Sequence, residues 1–169
     1  LSDVNTFLGI KALKEVRVIN RYSASNISPE LFDYAKKTVF SEPQTDIVSD
    51  KPIGECDFSF AVEYLPGQFD QRADSAAQCI QMISCGERPT VRTAKIYMLH
   101  GDIKEDEIKK IKAYVINPVE SREASMENPT EIDIKSETVS PPMVLDGFIQ
   151  LTKEELEKLL QDFSLAMDI

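Results

Sequence analysis

The stretch FSFAVEYLPGQFDQRADSAAQCIQMI, residues 58–83, carries the signals that decide the fold. Larger apolar side chains alternate with small or polar ones over residues 58–64, which predicts a β-strand. Pro66-Gly67 ends that strand and turns the chain. Asp70 can then cap a helix, because its carboxylate can accept hydrogen bonds from the free amides of the first turn. The stretch therefore predicts a strand, a tight turn and a helix.

The predicted helix has one narrow apolar stripe made mostly of alanine, which should let it lie close against the element it covers. The stripe comprises Ala73, Ala76, Ala77, Ile80 and Ile83. Cys79 stands beside it, and a buried, unreactive thiol is predicted there. Polar side chains gather at the start of the helix, and from composition alone they form a solvated turn with ordinary capping. They are Asp70, Gln71, Arg72, Asp74 and Ser75.

Composition excludes several classes of function. The 169 residues suit one domain with a real core, and 42% of them are hydrophobic. A net charge of −10 argues against nucleic-acid binding, which needs basic patches, and no apolar run approaches the roughly 20 residues that span a bilayer. The first residue is Leu1 rather than methionine, and no signal peptide is evident, so a piece of a longer cytoplasmic protein is expected.

The cysteines and the single histidine do not form a recognisable site. Cys56, Cys79 and Cys85 are odd in number and lack metal-ligand spacing, so reduced thiols are expected. His100 follows a predicted strand and is expected in a surface loop, without a zinc site. The chain contains no glycine-rich phosphate loop and no supported nucleophile–base pair, so no catalytic, cofactor-binding or metal-binding residue is predicted.

The order of predicted elements repeats along the chain. A strand over 16–22 precedes a helix that begins at Ser28-Pro29, and a short edge strand is predicted over 46–48. A strand over 91–99 and a helix over 103–116 repeat this order, and residues 27–40 align with 103–116 without a gap. Lys104 aligns with Ser28 and is a poor N-cap, partly offset by the acidic residues after it.

This repetition predicts an α/β (α+β) fold built by internal duplication. Each copy reads β-α-β-α-β, with repeat one over 1–52, lacking its opening strand, and repeat two over 55–138. Residues 119–143 begin as the last strand and become a linker, so the domain boundary is placed between 140 and 141. Over 141–169, Thr152 and Glu155 predict a capping box and a further helix.

Five separated stretches resemble the N-terminal region of large single-chain phosphoribosylformylglycinamidine (FGAM) synthases, and the resemblance runs from residue 1 to 169. The stretches are VRVINRY (16–22), KTVFSEP (37–43), VEYLPGQFDQRADSAAQCIQ (62–81), GERPTVRTAKIYML (86–99) and VINPVESREAS (115–125). These ligases of purine biosynthesis use glutamine and ATP. The resemblance implies two copies similar to the small accessory subunit (PurS), in a pseudo-twofold pair around antiparallel sheets with helices on one face, followed by the start of a linker domain that includes FSLAMDI.

The resemblance also implies a non-catalytic, architectural role. ATP and Mg²⁺ would be bound by the synthetase domain of the parent enzyme, and glutamine hydrolysed by its glutaminase domain. Both domains are the expected partners, with Asp70, Gln71, Arg72, Asp74 and Ser75 docking onto the synthetase domain and supporting ammonia transfer. Loss of the opening strand would leave an open sheet edge, so self-association of the chain is expected. The alternative is a stand-alone regulatory module that binds a small metabolite between the two copies.

Overall fold

The computed structural model describes residues 1–51, 54–127 and 144–163. The chain divides into two compact units, Leu1–Ile134 and Lys135–Ile169. The first unit is an α+β fold with an open antiparallel sheet, which confirms the predicted fold class. The linker expected over residues 128–143, and the FSLAMDI stretch beyond Phe163, lie outside the described residues.

The described residues of the first unit form four strands in the order β1-β3-β2-β4, with every neighbouring pair antiparallel. The strands are β1 (Leu13–Ser25), β2 (Phe58–Tyr64), β3 (Thr90–Gly101) and β4 (Ser121–Ala124). The long strands β1 and β3 pair along their whole lengths, while β2 pairs with β3 on one side and β4 on the other. The strands predicted over 16–22, 58–64 and 91–99, and the one beginning after residue 119, are thereby confirmed.

In the same described residues, four helices accompany the sheet: α1 (Ser2–Phe7), α2 (Pro29–Thr38), α3 (Gln71–Ser84) and α4 (Glu105–Val115). The Ser28 hydroxyl accepts the Leu31 amide at 3.3 Å, which confirms the predicted cap of α2. Lys104 caps α4 without a side-chain acceptor, as expected, and its own amide instead donates to the Glu107 carboxylate at 2.9 Å. The helices therefore begin where the capping residues predict.

The core lies mainly on the face of the sheet that the helices contact. There Phe60 and Leu99 pack with Val4 of α1 and Ile111 of α4, and all four side chains are buried. Tyr22 lies on the same face and stacks on Phe40, just beyond α2. The opposite face carries a second buried cluster, which comprises Ala61, Ile96, Met98 and Ala124.

The second unit contains a short 3₁₀ turn, Phe148–Gln150, followed by α5 (Lys153–Asp162). The Thr152 hydroxyl accepts the Glu155 amide at 3.4 Å, and the Glu155 carboxylate accepts the Thr152 amide at 2.8 Å. This is the capping box that the sequence predicted.

Four sequence-based predictions are wrong. Residues 46–48 form no strand. No described strand pairs with them, and Ile47 is 83% exposed. His100 lies within β3 rather than in a loop, since β3 pairs with β1 as far as Gly101. Cys79 is exposed, and Ile83 is 45% exposed, because the helix face that packs is narrower than predicted and ends at Ile80.

Candidate functional site

Three stretches that are distant in sequence meet at the start of α3. We call this region the junction and define it as residues 63–75, 88–93 and 119–122. Main-chain and side-chain hydrogen bonds join the first stretch to the third: the Leu65 amide donates to the Glu120 carbonyl at 2.9 Å, and the Gln68 amide group to the Val119 carbonyl at 3.4 Å.

An ion pair also joins β4 to its neighbour β2 at the junction. The Arg122 guanidinium of β4 donates to the Glu63 carboxylate of β2 at 2.9 Å, and the Glu63 side chain is largely buried. Since Glu63 and Arg122 face each other directly in the strand register, the pair reinforces the β2–β4 edge of the sheet.

Asp70 connects α3 to the middle of the sheet. One of its carboxylate oxygens accepts the Ala73 amide at 3.0 Å, which is the predicted helix cap. The other accepts both the Thr93 amide at 3.2 Å and the Thr93 hydroxyl at 2.7 Å. Asp70 is half-buried and satisfied by three donors, so its role is to hold the first turn of α3 against β3.

Arg72 lies on the exposed side of α3, and one of its guanidinium nitrogens donates to the Tyr22 hydroxyl of β1 at 3.1 Å. The hydrogen bond to Tyr22 raises the pKa of Arg72 above its ordinary value, so the group stays charged. Tyr22 in turn stacks on Phe40 at a centroid distance of 4.8 Å, so the hydrogen bond ties the guanidinium to a packed aromatic pair. A guanidinium has five N–H donors, so this bond uses only part of its capacity.

The remaining predicted residues divide between internal and outward roles. Asp74 accepts hydrogen bonds from Arg88 and, at 2.8 Å, from Gln78, so it serves the local structure. Gln71 and Ser75 are exposed. The structure therefore brings all five predicted residues to one place and leaves Gln71, Arg72 and Ser75 facing outward.

Sequence reasoning missed an exposed apolar surface at the junction. Phe69 is 70% exposed, Val119 is 56% exposed and Tyr64 is 46% exposed. Phe69 stands next to the capping residue in a turn that cannot be read from periodicity, and Val119 comes from a distant stretch. Of these three residues, only Tyr64 could be placed from the sequence, because it ends the alternating pattern of β2.

Two clefts lie at the junction. One, of about 310 Å³, is lined by the Pro66–Gly67 turn and by three arginines, Arg88, Arg92 and Arg122. The other, of about 500 Å³, lies over the centre of the sheet, with residues of β1, β2, β3 and α3 in its lining. In the part of the chain that the structure describes, no group of three His, Cys, Asp or Glu side chains is arranged to hold a metal ion.

Comparisons with known proteins add no identification: no family model, no curated protein and no solved structure matches this chain. None of the described helices is both long and apolar enough to cross a membrane. The fold and the junction therefore define the chain as an α+β protein with an antiparallel sheet.

Proposed function

We propose that this chain is the N-terminal, PurS-like domain of an FGAM synthase and that it has an architectural role in the parent ligase. The observation that carries the proposal is the convergence at the junction. Three of the five stretches that resemble this family, 62–81, 86–99 and 115–125, supply its residues. In the sequence they are separate, yet direct hydrogen bonds connect them in the fold.

The pairing of β1 with β3 supports the proposed duplication. Both strands contain a Val-Arg pair followed at equal spacing by tyrosine, Val16-Arg17 with Tyr22 and Val91-Arg92 with Tyr97. In this alignment Asn20 corresponds to Lys95, and these two residues are partners in the sheet. A pseudo-twofold axis between the copies would thus pass through that pair.

The helices support the same arrangement. Aligning α2 with α4 superposes their N-caps, Ser28 and Lys104, and their single buried residues, Ala35 and Ile111. Both helices lie at equivalent places after the paired strands, as two copies of one unit would.

The outward side of the junction has the composition of a protein-binding surface. Exposed Arg72 lies in the same region as the exposed rings of Tyr64 and Phe69. Aromatic residues and arginine dominate the energetics of protein interfaces. We therefore assign docking of the synthetase domain to this surface, with Gln71 and Ser75 as neutral contacts. Ammonia coupling would depend on that docking, since released ammonia is otherwise lost to water.

The test uses the full-length enzyme with Arg72→Glu. Reversing a charge at a docked arginine leaves its partner unpaired, which costs roughly 2–5 kcal/mol if the partner is buried. FGAM formed per glutamine hydrolysed should fall, while glutamine hydrolysis continues. Tyr22→Phe is the matched control, because it removes the hydrogen bond to Arg72 but leaves the charge in place. Arg17→Glu, at an exposed arginine of β1 outside the junction, controls for charge reversal in general.

Both controls should keep the wild-type ratio of the two activities. A wild-type ratio in a stably folded Arg72→Glu enzyme would show that the junction does not dock the synthetase domain. The coding frame offers a simpler check: a frame that continues into a synthetase domain is expected, and a separate gene ending near Ile169 would overturn the assignment.

A further inference from the structure

The outer edge of β1 is open in the part of the chain that the structure describes. β3 is the neighbour of β1 on one side, and no described strand pairs with the other side. At 13 residues β1 is much longer than β4, the edge strand at the opposite end of the sheet, which has four. A long edge with unpaired amides and carbonyls is a template for another strand, and most proteins cover or shorten it.

The charges along β1 suit pairing with a second copy of the same strand. In a symmetric antiparallel pair, residues equally distant from the central residue on its two sides face each other across the two strands. With Val18 at the centre, Glu15 faces Arg21 of the second copy, and symmetry makes this ion pair twice. Centres at residues 17, 19 and 21 bring two arginines face to face, and a centre at residue 20 opposes no charges. Opposite charges in facing positions stabilise a sheet and like charges destabilise it, so the sequence favours Val18 as the centre.

The side chains that this register brings together are at least partly exposed. The Glu15 side chain is 57% exposed, and the neighbouring Arg17 is its partner at 3.3 Å. Arg21 donates to the Ser125 carbonyl at 2.7 Å, which uses only part of the capacity of a guanidinium. Val18 is 50% exposed, although it lies on the face of the sheet that carries the helices. Pairing about this residue would cover two exposed valines.

We propose that two copies of this chain associate through their β1 strands, which pair antiparallel about Val18. The sheet then continues from one copy into the other, and main-chain groups on the outer edge of β1 gain hydrogen bonds. The irregularity in the pairing of β1 with β3 lies between Leu13 and Glu15, so the segment 15–21 is regular. The self-association expected from the sequence would take place at this edge. This inference does not depend on the docking role of the junction.

Sedimentation of the chain at several concentrations tests the association, and a monomer–dimer equilibrium is expected for the wild type. Glu15→Arg and Arg21→Glu each replace both ion pairs by pairs of like charge, so each should weaken the dimer about tenfold. The control is Lys110→Glu, at an exposed lysine of α4, which should leave the dissociation constant unchanged.

The two weakened variants should bind each other. In their mixture, the reversed charge of Glu15→Arg faces the reversed charge of Arg21→Glu, and the native Arg21 of the first variant faces the native Glu15 of the second. A mixed dimer of about wild-type affinity is therefore expected. The double variant Glu15→Arg/Arg21→Glu should associate with itself for the same reason.

A wild-type chain that stays monomeric up to about 1 mM would overturn the proposal. Equal effects of Arg21→Glu and Lys110→Glu would also overturn it, as would the failure of the two single variants to form a mixed dimer, because either result places the association elsewhere. Circular dichroism checks that each variant is folded. The double variant tests the same register should a single reversal disturb the fold.

Discussion

The contacts of Asp70 predict a measurable coupling between α3 and the sheet. Asp70→Ala removes the helix cap, which costs about 1 kcal/mol. It also removes two charge-assisted hydrogen bonds from Thr93 and leaves the Thr93 amide without its acceptor. A hydrogen bond to a charged group contributes roughly 1.5–3 kcal/mol, and less at a half-buried site such as this one. The expected loss in unfolding free energy is thus about 3 kcal/mol in total.

Two further variants separate the parts of that loss. Asp70→Asn keeps an oxygen for the Ala73 amide, and asparagine caps helices as well as aspartate does. Its amide nitrogen cannot accept from Thr93, so this variant should lose only the sheet contact. Thr93→Val removes the hydroxyl alone, at a cost of about 1 kcal/mol.

Urea unfolding followed by circular dichroism gives the four free energies of an Asp70→Ala/Thr93→Val cycle. The two losses should not add, and a coupling energy of about 1 kcal/mol is expected for residues in direct contact. Additive losses would show that the hydrogen bonds seen between Asp70 and Thr93 do not stabilise the fold. An unchanged stability of Asp70→Ala would refute the cap as well.

Two other predictions concern α3 and α5. Ile80→Ala should lower the unfolding free energy by about 2–5 kcal/mol, because Ile80 is fully buried. Cys79→Ser should change it by less than about 0.5 kcal/mol, because Cys79 is exposed. Comparable losses for the two variants in urea unfolding would contradict the narrow packing face of α3. Hydrogen bonds from the Thr152 amide and then its hydroxyl lower the pKa of Glu155 below its ordinary 4.5. Because the folded-state pKa is the lower one, the cap stabilises α5 above the ordinary pKa and is lost as pH falls through the folded value. An NMR titration that gave Glu155 a pKa of 4.5 or higher would rule out this capping box.

Local signals in the sequence predicted the elements well, because alternation, turns and caps involve neighbouring residues. The strand at 58–64 and the caps at Ser28, Asp70 and Thr152 are examples. Burial around α3 was predicted less well. A helix of alanines touches the sheet along a narrow line, so Cys79 falls outside it although it adjoins Ile80.

The junction itself could be predicted only in part. Asp70 was identified from its capping position, but its second partner, Thr93, lies in a strand whose register depends on the whole sheet. The same is true of the Glu63–Arg122 pair, which forms only because β2 and β4 are neighbours. The prediction of an edge strand at 46–48 was wrong for a related reason: a strand needs a neighbouring strand to pair with as well as a suitable sequence pattern.

The strand order bears on how the chain acquires its structure during synthesis. Among the described residues, β1 pairs with β3 and is not a neighbour of β2 in the sheet. The residues of α1 and α2 lie close to β1 in the sequence, whereas β3, the strand with which β1 pairs in the described part of the chain, is complete only once Thr90–Gly101 has been synthesised. Such long-range pairing slows folding and leaves an unpaired strand exposed to other chains. A nascent chain arrested before residue 90 should therefore be a substrate for chaperones, and one extended past Gly101 should escape them.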